Sequence, residues 1–136
     1  MEFIIENARE TDAGTIARLW CDEDDGGAHE QMLRTAVADP ETLVAVARNG
    51  RVVGACVGQI QELPRVEGKK VGVLWRLCAQ DDAPDVLSRL NDYAVSWMRS
   101  RKADVVRLNE PASSCNVPLR TLGYTSFADV VALELT

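Results

Sequence analysis

The stretch from Thr42 to Ala79 constrains the fold most. Residues Thr42 to Ala47 and Val52 to Ile60 are β-branched, small or apolar, and Arg48-Asn49-Gly50-Arg51 joins them. Asn-Gly between two such runs is a strong hairpin signal, because both central residues of a type I′ turn need positive φ. A further run, Val71 to Ala79, follows the turn at Val66-Glu67-Gly68. Three successive strands in an antiparallel meander are expected.

The flanking segments supply helices. Phe3-Ile4-Ile5 is a short apolar strand, and Arg9-Glu10-Thr11-Asp12 is a helix-start signal in which Thr11 can cap and Asp12 faces the N-terminal dipole. Ile16, Leu19 and Trp20 then recur at helical spacing, and a second helix spans about Ala28 to Ala38 before Asp39-Pro40. The acidic, glycine-bearing stretch Asp22 to Gly27 reads as the loop between them. Val86, Leu87, Leu90, Ala94, Trp97 and Met98 fall on one face of a long helix ending near Arg101-Lys102, where cations suit the dipole. Val105, Val106 and Leu108 form another strand, a short helix follows Pro118 and stops at Gly123, and Val130 to Leu135 closes the chain as a strand. The order β-α-α-β-β-β-α-β-α-β has one helical crossover suited to parallel pairing, between Val71–Ala79 and Val105–Asn109. The class is therefore α+β with a mixed sheet, as one domain over residues 1–136.

Composition narrows the function. The chain of 136 residues is 46% hydrophobic and carries 15 basic against 21 acidic residues, a net charge of −6. It lacks the basic excess that nucleic acid demands, so no nucleic-acid partner is expected. The longest uncharged run falls short of the roughly 18 apolar residues of a membrane span, and the start Met1-Glu2-Phe3-Ile4-Ile5-Glu6 lacks the basic opening of a secretory signal. No membrane partner and a cytoplasmic location are the expectations. Cys21, Cys56, Cys78 and Cys115 include no CxxC pair, and His29 is the one histidine, so no metal site is expected and the thiols read as reduced, packed residues.

Three local matches, together with the order of elements, make the chain resemble the GNAT superfamily of acyl-CoA-dependent N-acetyltransferases over nearly its whole length. Ile5-Glu6-Asn7-Ala8-Arg9-Glu10-Thr11-Asp12 is similar to the family's opening strand and its R-x-x-T-x-x-D entry to the first helix, offset by a residue or two. The hairpin Val44 to Ile60 resembles its a-v-d-G-x-v-v-G pair of strands, with Gly54 at the usual glycine, and Leu119-Arg120-Thr121-Leu122-Gly123-Tyr124 resembles its closing Y-x-k-l-G-F. The resemblance implies a GNAT-like mixed sheet in which Val71–Ala79 splays from Val105–Asn109. It implies that acetyl-CoA inserts its pantetheine arm there, on backbone groups along Leu77, Cys78 and Ala79, with Arg76 paired to a nearby acid or reaching a ligand phosphate. It also implies direct attack of an amine on the thioester, aided by a base, an oxyanion donor and an acid for the departing thiolate.

Two positions depart from that pattern. The family holds pyrophosphate on a Q/R-x-x-G-x-G/A loop, whose glycines bare backbone N–H groups at a helix N-terminus. Here the stretch is Gln80-Asp81-Asp82-Ala83-Pro84-Asp85, and no glycine stands between Gly72 and Gly123. Pro84 removes a donor and the aspartates oppose a phosphate, so the loop reads as degenerate for acyl-CoA and the aspartates as caps for their own helix. Leu119 takes the position where many members have the tyrosine that protonates the thiolate.

Three residues are candidates for the base. His29 belongs to the residue type that titrates near neutrality. Glu62, after the third strand of the chain (Val52 to Ile60), and Glu110, at the end of Val105–Asn109, stand where strand ends open into a cleft, and either also reads as a surface carboxylate. The acidic run Asp22 to Asp25 would draw a cationic amine or simply solvate a loop. Two functions follow: an acyltransferase that passes an acetyl group from acetyl-CoA to a small amine through an impaired cofactor site, or a non-catalytic GNAT-like domain that binds a small ligand or protein partner. A metal enzyme of the vicinal-oxygen-chelate type would need more histidines than one. A homodimer paired along an exposed strand edge is compatible with the sequence.

Overall fold

The computed structural model describes residues 2–20, 27–62, 70–109, 125–127 and 130–134. Strand β1 (Ile4–Asn7) leads through a 3-10 turn at Glu10–Asp12 into α1 (Ala13–Trp20), and α2 (Ala28–Ala38) follows. The meander is β2 (Thr42–Asn49), β3 (Arg51–Glu62) and β4 (Lys70–Ala79). Then come α3 (Pro84–Ser100), β5 (Val105–Asn109), β6 (Thr125–Phe127) and β7 (Val130–Glu134). The strands form one sheet in the order β1-β2-β3-β4-β5-β7-β6. The single parallel pair among them is β4 with β5, Val71 opposite Val105 through Leu74 opposite Leu108, with α3 as the crossover. The mixed α+β sheet is thus the one the residue pattern implies.

Helix α3 covers one face of the sheet and α1 with α2 the other. Leu43, Ala45, Cys56, Leu74 and Leu77 turn to α3, where Val86, Leu87, Leu90, Ala94 and Met98 meet them. Val44, Val46, Ala55, Val57 and Cys78 turn to Ala13, Ile16, Trp20 and Leu33. Because both faces are covered, β2 to β4 are nearly continuous apolar runs. Close approach of α3 depends on Gly54, where a Cβ would lie 2.6 Å from Val86 Cγ1 and 2.9 Å from Leu90 Cδ1.

Several local expectations change. Asn49 ends β2, pairing with Arg51, and only Gly50 of the two turn residues has positive φ (67°). The type I′ turn is replaced by a tighter link whose twist is taken up by a register shift, Ala47 opposite Gly54 but Arg48 opposite Val52. The entry to α1 is organised by Asp12 rather than Thr11, since Asp12 Oδ2 accepts the Arg9 backbone N–H at 2.8 Å. Arg48 adds Nη2 to the same Asp12 oxygen at 2.8 Å and Nε to Glu6 Oε1 at 2.7 Å, tying β1, β2 and the start of α1 together. The chain end holds two strands, β6 and β7, where one was expected; a three-residue strand is too short to show an alternation. The expected helix after Pro118, with Glu110, Leu119 and Tyr124, lies outside the described residues.

Candidate functional site

Strand β4 contains a bulge. Val57 lies opposite Arg76 and Gly58 opposite Leu74, which leaves Trp75 as an extra residue. A bulge of this kind turns two successive side chains to one face. Trp75 and Arg76 accordingly both reach the α1/α2 side, after which Leu77 returns to the α3 core and Cys78 to the α1/α2 core. The described pairing with β5 ends at Leu74, immediately before the bulge, whereas β4 runs on to Ala79. The described ladder to β5 thus stops where Trp75 and Arg76 turn to the α1/α2 side, one residue before β5 ends at Asn109.

On that face lies a cavity of about 390 Å³. Its apolar wall is Trp20, Met32, Leu33, Ala36, Val57 and Trp75, and its polar groups are His29, Thr42, Gln59 and Arg76. The volume falls in the range of small-molecule sites, which combine an apolar lining with a few placed polar groups. Amphipathic α1 and α2 supply one wall because Trp20 and Leu33 are the residues they bury. The bulge and β3 supply the floor.

The floor is wired. Trp75 Nε1 donates to Gln59 Oε1 at 2.9 Å, Gln59 Nε2 donates to Thr42 Oγ1 at 3.1 Å, and Thr42 Oγ1 donates to Asp39 Oδ2 at 3.0 Å. An indole N–H can only donate and a carboxylate can only accept, so both ends fix the direction of the chain and the orientation of the Gln59 amide. One N–H of Gln59 Nε2 is left over. Arg76 stacks its guanidinium 5.6 Å from the centroid of the Trp20 ring, a cation–π distance.

Among the candidates drawn from the sequence, His29 in the first turn of α2 and Arg76 in the bulge come together at this cavity. Arg76 faces away from α3. Leu77 and Cys78 are buried on opposite faces, and Ala79 ends β4, so what these residues can offer a cofactor is backbone. Glu62 is the last residue of β3, and Glu110 lies outside the described residues. Sequence reasoning missed Gln59, Thr42 and the indole of Trp20. Gln59 was detectable as a polar residue in step with Ala55 and Val57, directly after the apolar run Val52 to Gly58.

The start of α3 differs from expectation in one respect. Gln80–Asp82 forms a 3-10 turn with Asp81 at φ 57°, and the N-cap falls on Ala83, which has no side-chain cap. Proline at the first helical position holds the preceding residue extended, Ala83 at φ −56° and ψ 114°, so the helix cannot start early enough for an aspartate to cap it. Asp85 sits in the first turn.

Among the described residues no group of three or more His, Cys, Asp or Glu side chains could hold a metal, and no helix is long and apolar enough to cross a membrane. No protein-family model and no curated protein sequence matches the chain. Solved structures do. A transcriptional regulator from Bacillus halodurans C-125 aligns with a TM-score of 0.75 at 16% identity, covering 92% of this chain and 94% of that one. The ribosomal-protein-alanine N-acetyltransferase of Brucella melitensis biovar Abortus 2308 aligns at 0.66 and 20%, covering 95% and 94%. A chain of the NatC complex bound to Gag peptide and CoA aligns at 0.71 and 16%, covering 100% of both. Sheet order and the α3 crossover thus belong to a known architecture, and this chain has the fold of the GNAT N-acetyltransferases.

Proposed function

We propose that this chain transfers an acyl group, acetyl in the simplest case, from an acyl-CoA to a small amine seated in the cavity beneath α1 and α2. The observation that carries the reading is the bulge at Trp75, which stands where the described pairing of β4 with β5 stops and turns Trp75 and Arg76 to the cavity. Bound acyl-CoA supplies the activated thioester. The backbone of β4 beyond Leu74 offers its pantetheine amides a strand edge to pair with, which needs no particular side chain. The apolar cavity wall excludes water from the acceptor, and His29 on that wall takes the amine's proton.

Support for the cofactor is uneven along its length. Strand β4 suits the arm, while Asp81, Pro84 and Asp85 at the start of α3 oppose the pyrophosphate. That second observation favours the other reading, a non-catalytic domain that binds a small ligand in the same cavity. Calorimetric titration with acetyl-CoA decides between them. Binding in the micromolar to millimolar range, with free thiol released when amines are added, is the expected result. Absence of binding at millimolar acetyl-CoA would leave the ligand-binding domain.

A further inference from the structure

Two of the polar groups that line the cavity, Arg76 and Gln59, have N–H groups to offer a ligand. Arg76 presents a planar fork of N–H groups, Gln59 retains one N–H after the floor chain is satisfied, and no carboxylate lines the space among the described residues. Arg76 also has no ion pair with any described carboxylate, in contrast to Arg34, Arg48 and Arg101. A half-buried guanidinium held by an indole face is positioned for an anion, and its rigid fork matches an oxyanion bidentately.

We infer that the cavity binds an oxyanion, a carboxylate or a phosphate, carried on a flat apolar body. The oxyanion sits on Arg76 and the spare Gln59 N–H, and the body lies against Trp20, Trp75 and Met32. Resting on the acyl-transfer reading, this makes the acceptor an amphipathic amine with an acidic group, such as an aromatic amino acid, rather than a simple cationic amine. The chain's net charge of −6 makes the point sharper, because long-range attraction would bring cations. An anion is selected here by local groups against the overall field.

The test is a binding titration without acetyl-CoA, so that its result does not depend on acyl transfer. Quenching of Trp20 and Trp75 fluorescence reports occupancy by 3-phenylpropionate, phenyl phosphate or phenethylamine. Either anionic probe should bind at least tenfold tighter than phenethylamine, and whichever is tighter identifies the oxyanion. Arg76→Gln should erase that preference, and Arg76→Lys should restore part of it. Equal affinity for anionic and cationic probes on the unaltered chain overturns the inference, as does a preference that survives Arg76→Gln. If Arg76→Gln does not fold, the probe comparison on the unaltered chain and on Arg76→Lys decides alone. Preferential anion binding in a chain that neither binds acetyl-CoA nor releases thiol would keep this inference and remove the acyltransferase.

Discussion

Replacing Arg48 with methionine separates charge pairing from packing in the cluster that ties β1 to β2 and the start of α1. Methionine keeps most of the aliphatic stem and loses the two charge-assisted hydrogen bonds, to Asp12 at 2.8 Å and Glu6 at 2.7 Å. Asp12 retains only 10% of its side-chain surface and Glu6 retains 32%, so the first bond dominates and the second is diluted by solvent. Hydrogen bonds to charged groups contribute about 1.5–3 kcal/mol each when water is kept away, and the variant should lose about 2–3 kcal/mol at neutral pH. With an unfolding entropy near 2.1 cal/mol/K per residue, that is a fall in Tm of roughly 7–10 °C. Acid tests the cause. Burial would raise the Asp12 pKa, yet the hydrogen bonds from Arg48 and the Arg9 backbone, with the charges of both arginines, hold it below the usual carboxylate value. A depressed folded-state pKa stabilises above the unfolded value near 3.9 and is lost as pH falls through the lower folded value. Urea unfolding at pH 7 and at pH 2.5 should therefore show the difference between the two proteins shrinking to under about 1 kcal/mol in acid. An equal difference at both pH values would refute the electrostatic account and assign the loss to packing.

Other outcomes follow from single features. Gly54→Ala places a Cβ against Val86 and Leu90 and within 3.0 Å of the Cys78 carbonyl oxygen, and denaturant unfolding should show a loss of about 1–3 kcal/mol. Lys102, exposed and at φ 66°, closes α3 in a position suited to glycine, with Ala103 N–H on Met98 O at 3.0 Å and Lys102 N–H on Arg99 O at 2.9 Å. Lys102→Gly should raise stability by about 0.4–1 kcal/mol in thermal melts. Burial pushes the Cys56 thiol up to about 12, so at pH 8 a thiol reagent should modify Cys56 only as fast as the protein unfolds, as followed by peptide mass spectrometry.

The elements that fold by their own pattern could be read from the sequence. Val86, Leu87, Leu90, Ala94 and Met98 are buried in α3 as their spacing demands, and the parallel pairing of Val71–Leu74 with Val105–Leu108 follows from a helix between two strands. The cavity could not be read because its residues lie far apart in the chain. Trp20, Gln59 and Trp75 come from α1, β3 and β4. Apolar residues on both faces of β4 also hide the phase of its alternation, so Val71-Gly72-Val73-Leu74-Trp75-Arg76-Leu77-Cys78-Ala79 gives no sign of a bulge. Cap positions failed for a local reason. Proline at 84 moved the start of α3, and a short carboxylate at 12 displaced the threonine beside it.

The bulge in β4 works like a frameshift. Upstream of it Gly72 and Leu74 lie against α3; downstream, Leu77 and Ala79 do, so the strand is two segments whose reading frames differ by one residue. Substitutions at Trp75 or Arg76 leave both frames intact and change only what the cavity offers a ligand. Deleting either residue would merge the frames and restore strict alternation, leaving Leu74, Leu77 and Ala79 toward α3, Cys78 toward α1 and α2, and the pairing with β3 in register, while the cavity lost one of its two bulge side chains. Chemistry at this point can thus diverge by exchange of side chains and by loss of the extra residue alike, because both cores are held by residues outside the bulge.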